Sequence, residues 1–257
     1  MIEILKILFT IPFLLYSCYS DLKFRRVPNK VWKYMLAVGS VFIFYEIFTE
    51  GFPFLKAMLV SGVIVFVSVY ILFQLGAFGG GDAKGLIVLS LLFPLYPIFR
   101  IGNLVYPLLG FPTIGLFTFT VFENALLLTI LAPVGMFCYN LLHFSPALLK
   151  KPLYMFLGYR TPVASLKNKE HLGLLENFEI DEKGNVKKSF ARVGLNFDAN
   201  LKPELEEYAK KGLIEPEVWV TPGLPFMLSI TAGFITSILF GDMLFYLIMR
   251  LCTISSP

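Results

Sequence analysis

Residues 57–78 carry no charged side chain, and neither do residues 85–99. A helix needs about 20 apolar residues to cross about 30 Å of hydrocarbon. In lipid the backbone must satisfy its own hydrogen bonds, so such runs become helices. Between them stands Gly79-Gly80-Gly81-Asp82-Ala83-Lys84. An aspartate wedged between two membrane helices is costly, and such residues usually face a protein interior and serve function. A second aspartate, Asp21, closes the first apolar segment.

The rest of the chain agrees with a membrane class. It is 56% hydrophobic and 16% charged over 257 residues, too few polar groups to cover a soluble domain of this size. The charges are segregated: residues 145–221 hold 23 of the 40 charged side chains. The sequence therefore predicts an α-helical integral membrane protein with six transmembrane helices and a small α+β domain between helices 5 and 6. Residues 1–143 form the first five spans, 144–221 the cytoplasmic soluble domain and 222–257 the last span. The net charge of +4 is modest. Its basic groups cluster in loops, which indicates topology rather than nucleic-acid binding.

The six spans are expected near 2–20, 31–49, 54–78, 84–100, 123–143 and 223–250. Residues 101–122 are uncharged but broken by Gly102, Pro107, Gly110, Pro112 and Gly115, and read as an ordered interfacial or re-entrant loop. The alternative, a seventh span, leaves only Arg100 between two hairpinned helices. Residues 1–20 faintly resemble a signal peptide, but Glu3 comes early and no good small-residue cleavage site follows, so a retained helix is expected. Lys23, Arg25, Arg26, Lys30 and Lys33 flank the first turn and place it in the cytoplasm. Six spans then put Gly79–Lys84 and the polar domain on that same side, with both termini outside. A lipid bilayer is the implied surrounding.

Within the polar domain, Phe178–Ile180 and Val186–Val193 flank Gly184-Asn185 and predict a hairpin. Pro203–Lys211 predicts a short helix ending at Gly212. No phosphate loop or Ser/His/Asp signature is present there. Cys18, Cys138 and Cys252 form no CxxC and lie in or beside apolar segments, so a disulfide framework or zinc site is not expected. No cofactor and no metal are implied.

Asp21 and Asp82 are 61 residues apart, yet the topology places both at the cytoplasmic edge of adjacent helices. Two carboxylates around one water cannot both ionise easily, so one serves as acid and the other as base. The pair titrates as a unit. That arrangement can hydrolyse a peptide bond without a covalent intermediate. Gly79 and Gly81 leave room beside Asp82 for an extended substrate backbone. The bland readings are a flexible turn with Asp82 as the N-cap of the fourth helix, and Asp21 paired with Arg25 or Lys23.

Gly79-x-Gly-Asp82 followed by Ala83-Lys84 resembles the GxGD signature of intramembrane aspartyl proteases. Asp21-Leu22-Lys23-Phe24-Arg25-Arg26-Val27-Pro28-Asn29 resembles the stretch after the first helix of type IV prepilin peptidases. Six spans with a polar domain before the last are most similar to the archaeal, preflagellin-processing branch. The cysteine-rich insert of many bacterial members is absent, so their zinc site and N-methylation are not implied. The resemblance covers most of residues 1–100 and is weak in the polar domain. It implies catalytic roles for Asp21 and Asp82. It also implies precursor flagellins or pilins as partners, cut on the cytoplasmic side just before their hydrophobic helix, after a glycine preceded by basic residues.

Thr221-Pro222-Gly223-Leu224-Pro225-Phe226 opens the last span and is similar in position to the proline motifs of those proteases. A substrate-side role is expected for Pro225, against an ordinary helix start. Lys84 could tune Asp82 or bind lipid phosphate. Glu46, Glu123 and Asp242 read as solvated charges at the outer edge. A proton-coupled transporter using Asp21 and Asp82 is the main rival, but its usual repeated halves are missing. A non-enzymatic assembly factor is the second, and it gives the paired aspartates no purpose.

Overall fold

The computed structural model describes residues 2–76, 79–110, 115–168, 172–180, 186–196, 201–223 and 225–254. Among these, α1 (Ile2–Phe24), α2 (Asn29–Glu50), α3 (Phe52–Gln74) and α4 (Gly80–Leu92) come first. They are followed by β1 (Phe99–Ile101), β2 (Leu104–Tyr106), α5 (Phe117–Thr129) and α6 (Leu131–Leu142). Next are α7 (Tyr154–Leu157), β3 (Tyr159–Pro162), β4 (Leu172–Ile180), β5 (Val186–Asn196) and α8 (Leu201–Lys210). The chain closes with β6 (Glu217–Pro222), α9 (Phe226–Leu239) and α10 (Met243–Ile254).

Two compact units result: residues 1–129 with 225–257, and residues 130–224. Four helices among the described residues are long and apolar enough to cross a membrane: α1, α2, α3 and the run Phe117–Leu142. The bent pair α9–α10 makes a fifth if it crosses as one span. The protein is thus a multi-pass membrane protein with a small sheet.

The expected fourth span, 84–100, is where structure and sequence reading part. Helix α4 starts four residues earlier, at Gly80, and ends at Leu92. Thirteen residues make only about 20 Å of helix. Pro94 disfavours helical geometry at Phe93 and lacks the N–H to continue it, and Phe93 has already left the helix at φ −127°, ψ 71°. The chain then forms the β1–β2 hairpin, Phe99 opposite Tyr106. Beyond it, the Leu108 and Leu109 N–H groups donate to the carbonyls of Leu239 and Phe240, at 2.9 Å each. Part of the expected loop 101–122 is therefore strand, and α5 begins at Phe117. Residues 111–114 lie outside the described residues.

The last expected span, 223–250, bends by 65° between α9 and α10. Gly241 sits at φ +101°, a conformation that favours glycine. Asn124 of α5 staples the bend. Its Nδ2 donates to Ser237 Oγ (2.9 Å) and Gly241 O (2.8 Å), while its Oδ1 accepts from the Met243 N–H (3.0 Å). In lipid, helices associate through such bonds and through close backbone approach. The latter is visible between α5 and α9, where a Cβ on Gly233 would stand 2.5 Å from Val121 O. Around this crossing Phe234 meets Phe93 and Phe117 edge to face, and Phe93 is tilted against Phe117, with centroids 5.3 to 5.6 Å apart.

The second unit carries a four-stranded antiparallel sheet in the order β3-β6-β4-β5. The predicted hairpin is present, with Ile180 opposite Val186; its turn, Asp181–Asn185, lies outside the described residues. Helix α8 ends as predicted near Gly212, at φ +69°. The Leu213 N–H reaches back to Tyr208 O and the Gly212 N–H to Ala209 O, the paired bonds of a Schellman cap. Leu166, Leu174, Leu205, Val218 and Val220 form the core between sheet and helix. Asn140 of α6 ties α7 down by donating to Met155 O (2.8 Å) and Gly158 O (2.7 Å).

Candidate active site

Asp21 lies in the last turn of α1. The helix stops there for local reasons. Arg25 takes a left-handed φ of +52° while its N–H still bonds Asp21 O at 2.9 Å. Pro28 then serves as the N-cap of α2. Ser20 Oγ donates to Arg26 O at 2.7 Å and pins the loop back onto α1. The Asp21 carboxylate accepts a hydrogen bond from the Met227 N–H, at 3.3 Å to Oδ2. Met227 is in the first turn of α9, where free N–H groups and the helix dipole favour an anion. Pro225 is the N-cap of that helix. Lys23 turns to the Tyr19 hydroxyl, 3.0 Å away, while Arg25 supplies positive charge near Asp21.

Asp82 is not the N-cap of α4 but its third residue; the N-cap is Gly79. The carboxylate reaches back to accept the Gly79 N–H at 3.2 Å, half of a capping box. The residue is 9% exposed. The two carboxylates are within electrostatic reach of each other across the first unit. Both therefore sit at helix ends with one oxygen fixed by a backbone donor.

The two motif segments touch directly. A Cβ on Gly81 would meet Val27 Cβ at 3.4 Å, and one on Gly85 would meet the Trp32 ring at 3.0 Å. Glycines four apart give α4 a smooth face on which the loop after α1 and the start of α2 lie. Sequence reasoning assigned Gly81 to substrate approach and overlooked Gly85 and Trp32. The small-x3-small spacing was the available signal. Gly79 faces its own helix, 3.4 Å from Asp82 Oδ2. Lys84 turns away from the carboxylates and donates to Asn29 Oδ1 at 2.7 Å.

Cys18 is buried. One turn before Asp21, its thiol lies within hydrogen-bond distance of Met227 O (3.3 Å) and Thr231 Oγ1 (2.9 Å). Asp21 and Cys18 thus grip the same turn of α9. Among the described residues no group of three or more His, Cys, Asp or Glu side chains gathers as a metal site.

The expectation for Glu46 is corrected. It is 1% exposed rather than solvated, because α1 and α2 bring it to Lys6, 2.6 Å away. Lys6 also approaches Glu3 at 3.2 Å and donates to Leu92 O, the end of α4, at 3.2 Å. Glu123 and Asp242 are half-buried and within electrostatic reach of each other rather than standing apart in solvent.

Apolar helices, with two carboxylates at helix ends within electrostatic reach of each other, define a multi-pass membrane protein with a candidate acidic site. The chain belongs to the type IV leader peptidase family, whose family model matches residues 8–139. A second model, the type II C-terminus of archaeal A24 peptidases, matches residues 150–243. The chain is similar to the preflagellin peptidase of Methanococcus voltae, 31% identical over 242 residues, covering 92% of this chain and 95% of the relative. It is also similar to that of Methanocaldococcus jannaschii, 28% identical, covering 89% and 91%. The preflagellin peptidase of Methanococcus maripaludis is 26% identical, covering 89% and 92%. The protein is a peptidase.

Proposed function

We propose that this protein is an aspartic endopeptidase that removes the short leader from preflagellin- or prepilin-like precursors at the cytoplasmic face. The observation that carries this reading is that Asp21 and Asp82 lie within electrostatic reach of each other, each held by a backbone N–H at a helix start. The pair shares one proton. Its ionised member takes a proton from water, and the water oxygen bonds to the scissile carbonyl carbon. Its protonated member polarises that carbonyl and supplies the proton that leaves on the amine as the C–N bond breaks. Membership in a leader peptidase family supports hydrolysis over the transporter reading.

The relatives named as preflagellin peptidases support the substrate class. In this reading the precursor's hydrophobic helix lies in the bilayer, and its charged leader reaches segment 144–221. Six crossings, with α4 and the chain after it making one of them, would put that segment and both aspartates in the cytoplasm. The Pro225 turn and Gly79–Gly81 would line the scissile peptide.

The decisive assay incubates membranes containing Asp21→Asn or Asp82→Asn protein with a precursor flagellin. Cleavage should fall by about 10²- to 10⁴-fold, the range of general acid–base catalysis. Near-wild-type processing by either variant would sink the dyad. Orientation has its own test on a cysteine-free protein. An impermeant thiol reagent added outside cells should label a cysteine placed at Glu50 and miss one placed at Lys187. Labelling at position 187 would reverse the topology.

A further inference from the structure

Beside the proposed catalytic residues, a groove of about 260 Å³ opens between α2 and α4. Leu36, Trp32 and Ile87 are among its walls, and Asn29, Lys33 and Lys84 stand around it. No acidic side chain lines it. Lys33 and Lys84 are exposed. Lys84 is held by a neutral amide, Asn29 Oδ1, and Lys33 has no ion pair among the described residues. Both charges are therefore uncompensated next to an apolar slot.

Trp32 is 3% exposed, so it presents ring carbon rather than a polar group to the groove. An occupant of this groove thus needs two properties: negative charge for two lysines, and hydrocarbon for Trp32, Leu36 and Ile87. A precursor leader with basic residues fails the first.

We propose that this groove is a binding site for one anionic phospholipid. The phosphate sits between Lys33 and Lys84, and the chains run along Trp32, Leu36 and Ile87. Basic residues beside apolar helix surfaces at a membrane edge select anionic headgroups in this way. Occupancy ties the start of α2 to the first turns of α4, the segments that flank Asp82. The site rests on the membrane reading alone, so failure of the aspartate dyad leaves it standing.

The chain has two tryptophans, so Trp219→Phe leaves Trp32 as the sole indole reporter. That protein is reconstituted into phosphatidylcholine vesicles carrying chain-brominated phosphatidylglycerol, or the same fraction of brominated phosphatidylcholine. Brominated phosphatidylglycerol should quench Trp32 saturably and with preference over phosphatidylcholine, the preference falling about fivefold for each lysine replaced. Lys33→Gln and Lys33→Gln/Lys84→Gln measure that fall. Subtracting the signal of Trp32→Phe protein from wild type gives the same quantity if Trp219→Phe accumulates poorly. Equal quenching by the two lipids would overturn the proposal. So would an unchanged preference in Lys33→Gln protein, or displacement by inorganic phosphate or by a precursor's hydrophobic segment.

Discussion

Helix α4 has a polar pair near each end, and the two pairs are opposites. At its C-terminal end Lys6 and Glu46 carry complementary charges 2.6 Å apart, with side chains 3% and 2% exposed. The ammonium also satisfies a terminal carbonyl, Leu92 O. At its N-terminal end stand two acids, Asp21 and Asp82; each accepts a backbone N–H, and neither has a salt-bridge partner among the described residues, though Arg25 supplies positive charge near Asp21. The first pair resolves its own electrostatics and holds three helices together. The second brings like charges within reach of each other, the arrangement that the proposed acid–base hydrolysis would use. The two pairs differ in the sign of the partner.

That contrast sets the variants worth making. The largest effect belongs to Asp82→Asn, which removes the like-charge conflict along with the chemistry. Its cleavage should fall by about 10²- to 10⁴-fold, while unfolding in detergent stays at or above the wild-type midpoint. A large loss of stability would make Asp82 structural and erase the distinction. Lys6→Met should do the reverse, leaving Glu46 buried and unpaired at a cost of about 3–5 kcal/mol. Lys6→Met/Glu46→Leu should recover most of that loss, as a denaturant series on the three proteins would show. If the single and double variants unfold alike, the pair is not coupled.

Next comes the face that joins the motifs. Gly85→Val forces a branched side chain into the Trp32 ring and should cost about 1–3 kcal/mol. Gly81→Val should cost less in stability but more in cleavage, because Val27 has the looser contact and Asp82 is its neighbour. Equal ratios of activity to stability loss for both would remove any special role of position 81. The smallest effect is expected from the cysteines. Replacing all three should leave cleavage resistant to chelators and thiol reagents. Cys18→Ala alone should cost about 1 kcal/mol or less for its bond to Thr231. A larger fall in cleavage than in stability would make Cys18 a positioning residue for Asp21.

Much of the molecule was legible along the chain. Uncharged runs such as 57–78 announced membrane helices, and α8 ended at its glycine with the bonds expected there. The β4–β5 pairing followed from alternation around a Gly-Asn turn. What went unread had specific causes. Pro94 lies inside the expected span 84–100, where the uncharged apolar run continuing past it hides its power to end α4 at Leu92. Glu46 looked solvated because its partner, Lys6, is 40 residues away in sequence. Gly85 looked like one more small residue in an apolar run until Trp32 was placed against it.

Hydrophobic length, basic loops and the two short motifs are local properties, so the chain by itself determined a membrane bundle, a polar insert and the two aspartates as the candidates for chemistry. Only the tertiary structure decided which backbone donors hold those carboxylates, that Val27 packs on Gly81, and that Lys6 neutralises Glu46 and caps α4. These depend on contacts between distant segments. In lipid such contacts are chosen by close packing and hydrogen bonds rather than by hydrophobic pattern, and that pattern is the part a sequence displays.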